Sequence, residues 1–397
     1  MKKNKFLILF ITMLMFVSTA CDKKSNGQNP ESDKDSVKNQ AAQTPADSPD
    51  KYGRDFNDLA RYFAGLPVEQ GSKIDDLTAT GEWKNHSMVF NQKWDQLTKE
   101  RLVPITNWQK DELKKLENIE TVFYPFGGPD FLFASTFFPN AKNLILIGLE
   151  PVGKLPDLNT AKKYLPTYLE NLQKALNVLL TGGYFMTIEM EKDFKTDRLN
   201  GVVPVLMLFI ARTGHQVLAV DYYDTEGSNP VDWDKPVDIS QPNHSKLSAV
   251  RIKYAGSDKV VKTLTYISTD LSDAAFPKSK TIQDFVKGKQ PFVTFLKAAS
   301  YLLHRDSFSQ IRDFILTNTK YLVQDDSGLP HRFYNNENWK YQLYGVYTAP
   351  IKLFEVRYQD DFRKEFLKPE NIKPLPFGYG YYWTDKRSNL LFAEKVK

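Results

Sequence analysis

Five side chains in the stretch "VQDDSGLPHRF" (323–333) could between them do acid–base chemistry: Asp325, Asp326, Ser327, His331 and Arg332. Adjacent carboxyl groups can share a proton, so that one serves as acid while the other serves as base. A guanidinium close by would hold an anionic group through two parallel hydrogen bonds. On that chemistry Asp325, Asp326, His331 and Arg332 form the candidate catalytic set of a hydrolase. The same residues also fit a plainer use, because Asp-Asp-Ser-Gly is ordinary turn chemistry after a strand.

A second set lies earlier. "YPFGGPD" breaks a strand-like run on Gly127 and Gly128, and Asp130 stands just before an apolar helix; "NLILIGLEP" then ends a second apolar run at Glu150. The stretch 119–151 resembles the opening of a Rossmann-like fold, closer to a methyltransferase than to a dehydrogenase. That resemblance implies that the glycine turn approaches a cofactor and that the acid closing the second strand binds ribose hydroxyls. Gly127, Gly128, Asp130 and Glu150 are therefore the candidate ligand-binding residues. The fingerprint G-x-G-x-x-G is not formed, and Pro129 brings no amide to a phosphate. A tight corner between strand and helix uses glycines in the same way and needs no ligand.

Other signatures are missing. "GLEPVGKL" (148–155) satisfies G-x-x-x-x-G-K but places Leu155 where a phosphate loop needs Ser or Thr. His86, His215, His244, His304 and His331 form no H-E-x-x-H and no pair at helical spacing, so no metal site is expected. G-x-S-x-G does not occur, which removes the nucleophile elbow of an α/β-hydrolase. The aromatic tail "FGYGYYW", with Tyr379, Tyr381, Tyr382 and Trp383, could stack on a sugar or peptide or form strand core. No cofactor is expected.

These residues must be held by an alternation of strands and helices. Apolar spacing predicts a helix over 87–102 and another over 106–118, opened by Thr106 and Gln109 at capping-box spacing. Strands are expected at 119–126, 143–149 and 216–223, and helices at 129–138, 160–180 and 202–214. After a polar loop (224–246), where the domain could subdivide, "AVRIKYA" and "VVKTLTYIS" read as a hairpin turning at Gly256-Ser257-Asp258. Helices are expected again over 291–304 and over 307–319, with Ser307 and Gln310 at capping-box spacing. The pattern predicts an α/β fold: a mixed, mainly parallel sheet flanked by helices, with a Rossmann-like core and an added antiparallel hairpin.

The N-terminus gives an address. Lys2, Lys3 and Lys5 precede an apolar run from Phe6 to Val17, and small residues lead to Cys21, which is the three-part plan of a secretory signal. The run is too short to span ~30 Å of hydrocarbon, which takes about 20 residues. Ser18-Thr19-Ala20-Cys21 resembles the lipobox of bacterial lipoproteins, which implies cleavage after residue 20 and a lipidated Cys21. Cys21 is the single cysteine among 397 residues, so disulfides, Fe–S clusters and cysteine-ligated zinc are excluded from the rest. Residues 22–51 hold one large aliphatic, Val37, and no aromatic before Lys51, so they read as a solvated tether reaching on the order of 30 Å.

The globular part is then 52–397, and in general character it resembles uncharacterised bacterial lipoproteins. Its charge is close to balanced, because three positive charges of the formal +5 belong to the leader. No Lys/Arg block suggests nucleic acid. The expectation is an exported envelope protein held at a membrane by lipid, in an unassigned leaflet, whose α/β head binds a small molecule or an envelope component. Catalysis on a Rossmann-like core, methyltransferase-like or hydrolytic through Asp325, Asp326 and His331, stands as the alternative. Nucleotide cofactors are made in the cytoplasm, and an exported head would rarely meet them.

Overall fold

A computed structural model of the chain describes residues 48–156, 201–225, 231–239, 247–334, 337–382 and 387–396, with a few positions between 163 and 200. The leader, Cys21, most of the tether and most of the helix expected over 160–180 lie outside the described residues, as does Trp383.

Before the first strand the chain is helical: α1 (Asp55–Phe63), α2 (Asp75–Thr78), α3 (Gly81–Leu97) and α4 (Val103–Glu112). A π turn over Thr98–Leu102 carries α3 straight into α4. Thr106 therefore sits inside a continuing helix and caps nothing, contrary to the capping-box expectation.

Ten strands form one sheet: β1 (Thr121–Tyr124), β2 (Asn143–Gly148), β3 (Gln216–Tyr223), β4 (Ala249–Ala255), β5 (Val261–Ser268), β6 (Phe292–Leu296), β7 (Tyr321–Gln324), β8 (Trp339–Gly345), β9 (Ile372–Lys373) and β10 (Asn389–Lys395). Their spatial order is β9-β8-β10-β7-β6-β1-β2-β5-β4-β3. The central run β7-β6-β1-β2-β5 is parallel throughout. Taken in chain order these strands lie 3-2-1-4-5 from the β5 side, which is the doubly wound Rossmann order. The reversed strands are β10, between β7 and β8, and β4, between β5 and β3. The expected mixed, mainly parallel sheet with an added hairpin is thus present. The hairpin has a larger part than expected, since its second strand, β5, is a member of the parallel core.

Strand residues alternate between the two faces, as the period of two requires. Val122, Tyr124, Leu144, Leu146, Val293 and Phe295 pack with α1, α3, α4, α5 (Phe131–Phe137) and α6 (Val203–Arg212). Phe123, Ile145, Ile147, Phe292 and Leu296 pack on the other face with α7 (Lys280–Lys287), α8 (Ser309–Asn318) and α9 (Asp360–Glu365). Burying each of these large side chains contributes about 1.5–3 kcal/mol against exposure. Helix α6 is buried from Val203 to Ala211 and ends at Arg212; Gly214, two residues on, has a φ of 81° that lets the chain reverse into β3.

Two expectations fail in one region. The segment 291–304 is not a helix: Phe292–Leu296 is β6, and a 3₁₀ turn, Ala299–His304, follows it. A run rich in Phe, Val and Thr suits a buried strand, and pairing with β1 on one side and β7 on the other settles it. Helix α8 begins at Ser309, so Ser307 is not its cap. Asp273 fills that role from the loop after β5, its Oδ1 accepting from the Gln310 amide at 2.9 Å and its Oδ2 from Ser309 Oγ at 2.8 Å.

Candidate functional site

The strand order reverses direction at β1, with β2 and β5 on one side and β6 and β7 on the other. In open α/β sheets that reversal leaves a crevice outside the carboxyl ends of the strands, where ligands bind. A cleft of about 250 Å³ lies there. It is lined from the end of β1 (Phe126, Asp130), of β2 (Leu149, Glu150), of β5 (Asp270) and of β6 (Lys297), among others. Gly127 and Gly128 line it as well, so the structure brings together all four residues singled out between 127 and 150.

At its floor, Asp130 caps α5 by accepting from the Phe133 amide at 3.1 Å. The other carboxyl oxygen accepts from Tyr124 Oη at 2.9 Å and from Lys297 Nζ at 2.8 Å. Both side chains of the Asp130–Lys297 pair are 2% exposed. The Lys297 ammonium also stands 3.5 Å from the centroid of the Phe133 ring. Burial raises the Asp130 carboxyl above its usual range and lowers the Lys297 amine below its own, while each partner's charge works the other way.

The glycine turn does not make a phosphate cradle. The Gly128 amide donates to the Ile147 carbonyl at 3.1 Å, the Asp130 amide to Gly127 at 3.3 Å and the Phe131 amide to Pro129 at 2.8 Å. Pro129 has no amide, and the first turn of α5 already carries the Asp130 carboxyl. A pyrophosphate needs free amides at a helix N-terminus, so these residues do not fit one.

Glycine is required in this turn by close approach. Gly128 has φ +54°, and a Cβ there would stand 3.1 Å from Glu150 Oε1. At Gly148 a Cβ would stand 2.4 Å from Glu150 Oε2. The glycines thereby let the Glu150 carboxyl fold back over the ends of β1 and β2. Glu150 is 1% exposed, and its Oε2 accepts from Tyr266 Oη at 3.2 Å. No hydrogen bond to Oε1 is formed among the described residues, and that oxygen is not closed off from solvent.

Two non-glycine residues at positive φ border the same cleft, Phe126 (62°) and Ala298 (55°). Ala298, with ψ −65°, forms a tight γ-turn in which the Ala299 amide donates to the Lys297 carbonyl at 2.6 Å. That conformation is rare and strained, and such strain gathers at ligand clamps and active sites. Asp325 holds it in place by accepting from the Ala298 amide at 2.9 Å.

The set at 325–332 is divided among separate partners. Asp325 also accepts from the Ser327 amide at 3.0 Å, closing the expected turn. Asp326 accepts from Asn389 Nδ2 at 2.8 Å and from the Tyr301 hydroxyl, and burial, with the Asp325 charge beside it, pushes its carboxyl up to about 7. His331 hydrogen-bonds instead with Asp361 (3.1 Å) and Tyr341 (3.2 Å), and Arg332 lies over the Phe333 ring at 4.9 Å. None of these four lines the crevice. Tyr379 is buried, with its hydroxyl donating to the Leu296 carbonyl at 3.3 Å, so it serves as core. Among the described residues no group of His, Cys, Asp and Glu could hold a metal ion.

Lys297 is the site residue that sequence reasoning missed. It fell inside the segment read as a helix, and recognition of "FVTFL" as a buried strand would have put it at a strand's carboxyl end. The chain matches no protein-family model, and no curated protein matches it.

Proposed function

We infer that this is an exported lipoprotein, anchored through Cys21, whose α/β domain binds a small, phosphate-free, hydroxyl-bearing ligand in the crevice without turning it over. Glu150 carries the reading. Its Oε2 is engaged by Tyr266 Oη, while Oε1, which is not closed off from solvent, is left to accept from a ligand hydroxyl at the switch-point crevice. Apolar neighbours, among them Leu149, Leu271 and Leu302, would cover the ligand's carbon skeleton. Among the described lining residues, the acids Asp130, Glu150 and Asp270 stand against one cation, Lys297, so an anionic ligand is disfavoured.

A screen of melting temperature against sugars, polyols, nucleosides and their phosphates tests the reading. Stabilisation by a phosphate-free hydroxylated compound, lost in Glu150→Gln, supports it; stabilisation by phosphates alone sinks it. Fatty-acid labelling of wild type and Cys21→Ser in a bacterial host tests the anchor, and equal labelling of both would refute it.

A methyltransferase-like enzyme is the second reading. It is favoured by the 3-2-1-4-5 order with an acid directly after the second core strand, and S-adenosylmethionine is itself a nucleoside without phosphates. Methyl transfer by the purified protein would establish it over simple binding. The hydrolase reading draws no support from the separate partners of Asp326 and His331.

A further inference from the structure

Resting on the crevice reading, we propose that Lys297 captures the carbonyl carbon of a small hydroxylated aldehyde or ketone as a reversible imine, with Glu150 accepting a hydrogen bond from one of the ligand's hydroxyls. Both residues line one cleft of about 250 Å³, which has room for a short-chain hydroxycarbonyl compound. A lysine that is desolvated in an apolar pocket is an activated amine nucleophile. Lys297 is in that setting, 4% exposed at the end of β6.

Its partner completes the chemistry. Asp130 Oδ2 lies 2.8 Å from Lys297 Nζ, and burial pushes both groups toward their neutral forms, amine and carboxylic acid. The amine lone pair forms the C–N bond as the carbonyl π pair moves to oxygen, which takes the Asp130 proton. The nitrogen then returns a proton to Asp130. That proton leaves with the carbinolamine hydroxyl as water as the C=N double bond forms, and the nitrogen passes its remaining proton to Asp130, which ends protonated as it began. One carbonyl compound and one amine thus give one imine and one water, with no oxidant or reductant. Tyr124, donating to the same Asp130 oxygen at 2.9 Å, keeps that carboxyl in place through these proton transfers. The γ-turn at Ala298, pinned by Asp325, fixes the backbone directly after Lys297.

The test uses the full chain with glycolaldehyde and cyanoborohydride at neutral pH, followed by peptide mass mapping. Exposed Lys110 and Lys280 serve as internal references. Capture predicts that Lys297 is labelled several-fold faster than either, because burial lowers its amine pKa, although it is far less exposed. Glu150→Gln should slow labelling at Lys297 alone, and ribitol, which has no carbonyl, should protect it. Labelling of Lys297 no faster than of the references in the wild type overturns the proposal, whatever the variant does. In that event a ribitol-induced melting shift abolished by Glu150→Gln would leave the crevice reading standing. No labelling together with no shift for any hydroxylated compound would remove both.

Discussion

Lys297 and Asp130 meet at 2.8 Å on the floor of the crevice, the first from the end of β6 and the second from the cap of α5, with 2% of either side chain exposed. Removing one partner of such a pair leaves the other buried without its hydrogen bond and costs about 1–3 kcal/mol, more for a charged group. Asp130→Asn and Lys297→Met should therefore each lower the free energy of unfolding by that order in denaturant titrations. The double variant should cost clearly less than the two single losses together. Simple additivity would show that the pair is not coupled.

Gly148 tests the close approach that seats Glu150. A Cβ at this position would meet Glu150 Oε2 at 2.4 Å and the Gly128 Cα at 2.8 Å. Gly148→Ala should cost about 1–3 kcal/mol through overpacking and weaken any crevice ligand, as calorimetric unfolding and titration would read. A variant as stable as wild type would mean that the Glu150 carboxyl moves aside freely.

Helix α8 depends on a cap supplied from outside its own sequence. Asp273→Ala leaves the Ser309 and Gln310 amides without their acceptor and should cost about 1–2 kcal/mol. Asp273→Asn, which keeps an acceptor oxygen, should recover part of that loss in the same chemical denaturation.

Stability should depend on pH through two opposing sets of groups. Asp326 binds its proton more firmly when folded, so its contribution is full below 3.8 and is lost as pH rises to about 7. Burial holds His86 and His304 neutral, lowering each from 6.5 to about 4, so their contribution is present above 6.5 and is lost as pH falls to about 4. Asp326→Asn can keep both hydrogen bonds, to Tyr301 and to Asn389. Its melting temperature should gain on that of wild type as pH rises from 5 to 8; a constant difference across that range would show that Asp326 does not titrate there.

Much of the crevice was legible in the sequence because its signals are local. Gly127, Gly128 and Asp130 sit between an apolar strand and an apolar helix, and Glu150 closes the next strand, so one βαβ reading places all four. Lys297 was hidden because "PFVTFLKAASYLLH" is one apolar run that periodicity cannot divide. Only pairing with β1 and β7 distinguishes its first half. Thr106 and Ser307 each carried a capping-box pattern that tertiary structure overrode, the one by a continuous helix through a π turn and the other by Asp273. The division of Asp326 from His331 was not legible either, because Asn389, Tyr301, Asp361 and Tyr341 come from distant parts of the chain.

The central claim is that Glu150 receives a hydroxyl of a phosphate-free ligand at the switch-point crevice, and melting of wild type and Glu150→Gln beside ribitol, adenosine, glucose and AMP tests it most directly. At 100 times its dissociation constant a bound compound adds ~2.7 kcal/mol, a shift of several degrees. The account predicts a shift with at least one neutral hydroxylated compound, none with AMP, and loss of the shift in Glu150→Gln with the unliganded melting temperature nearly unchanged. A shift with AMP alone, or one that survives in Glu150→Gln, would contradict it.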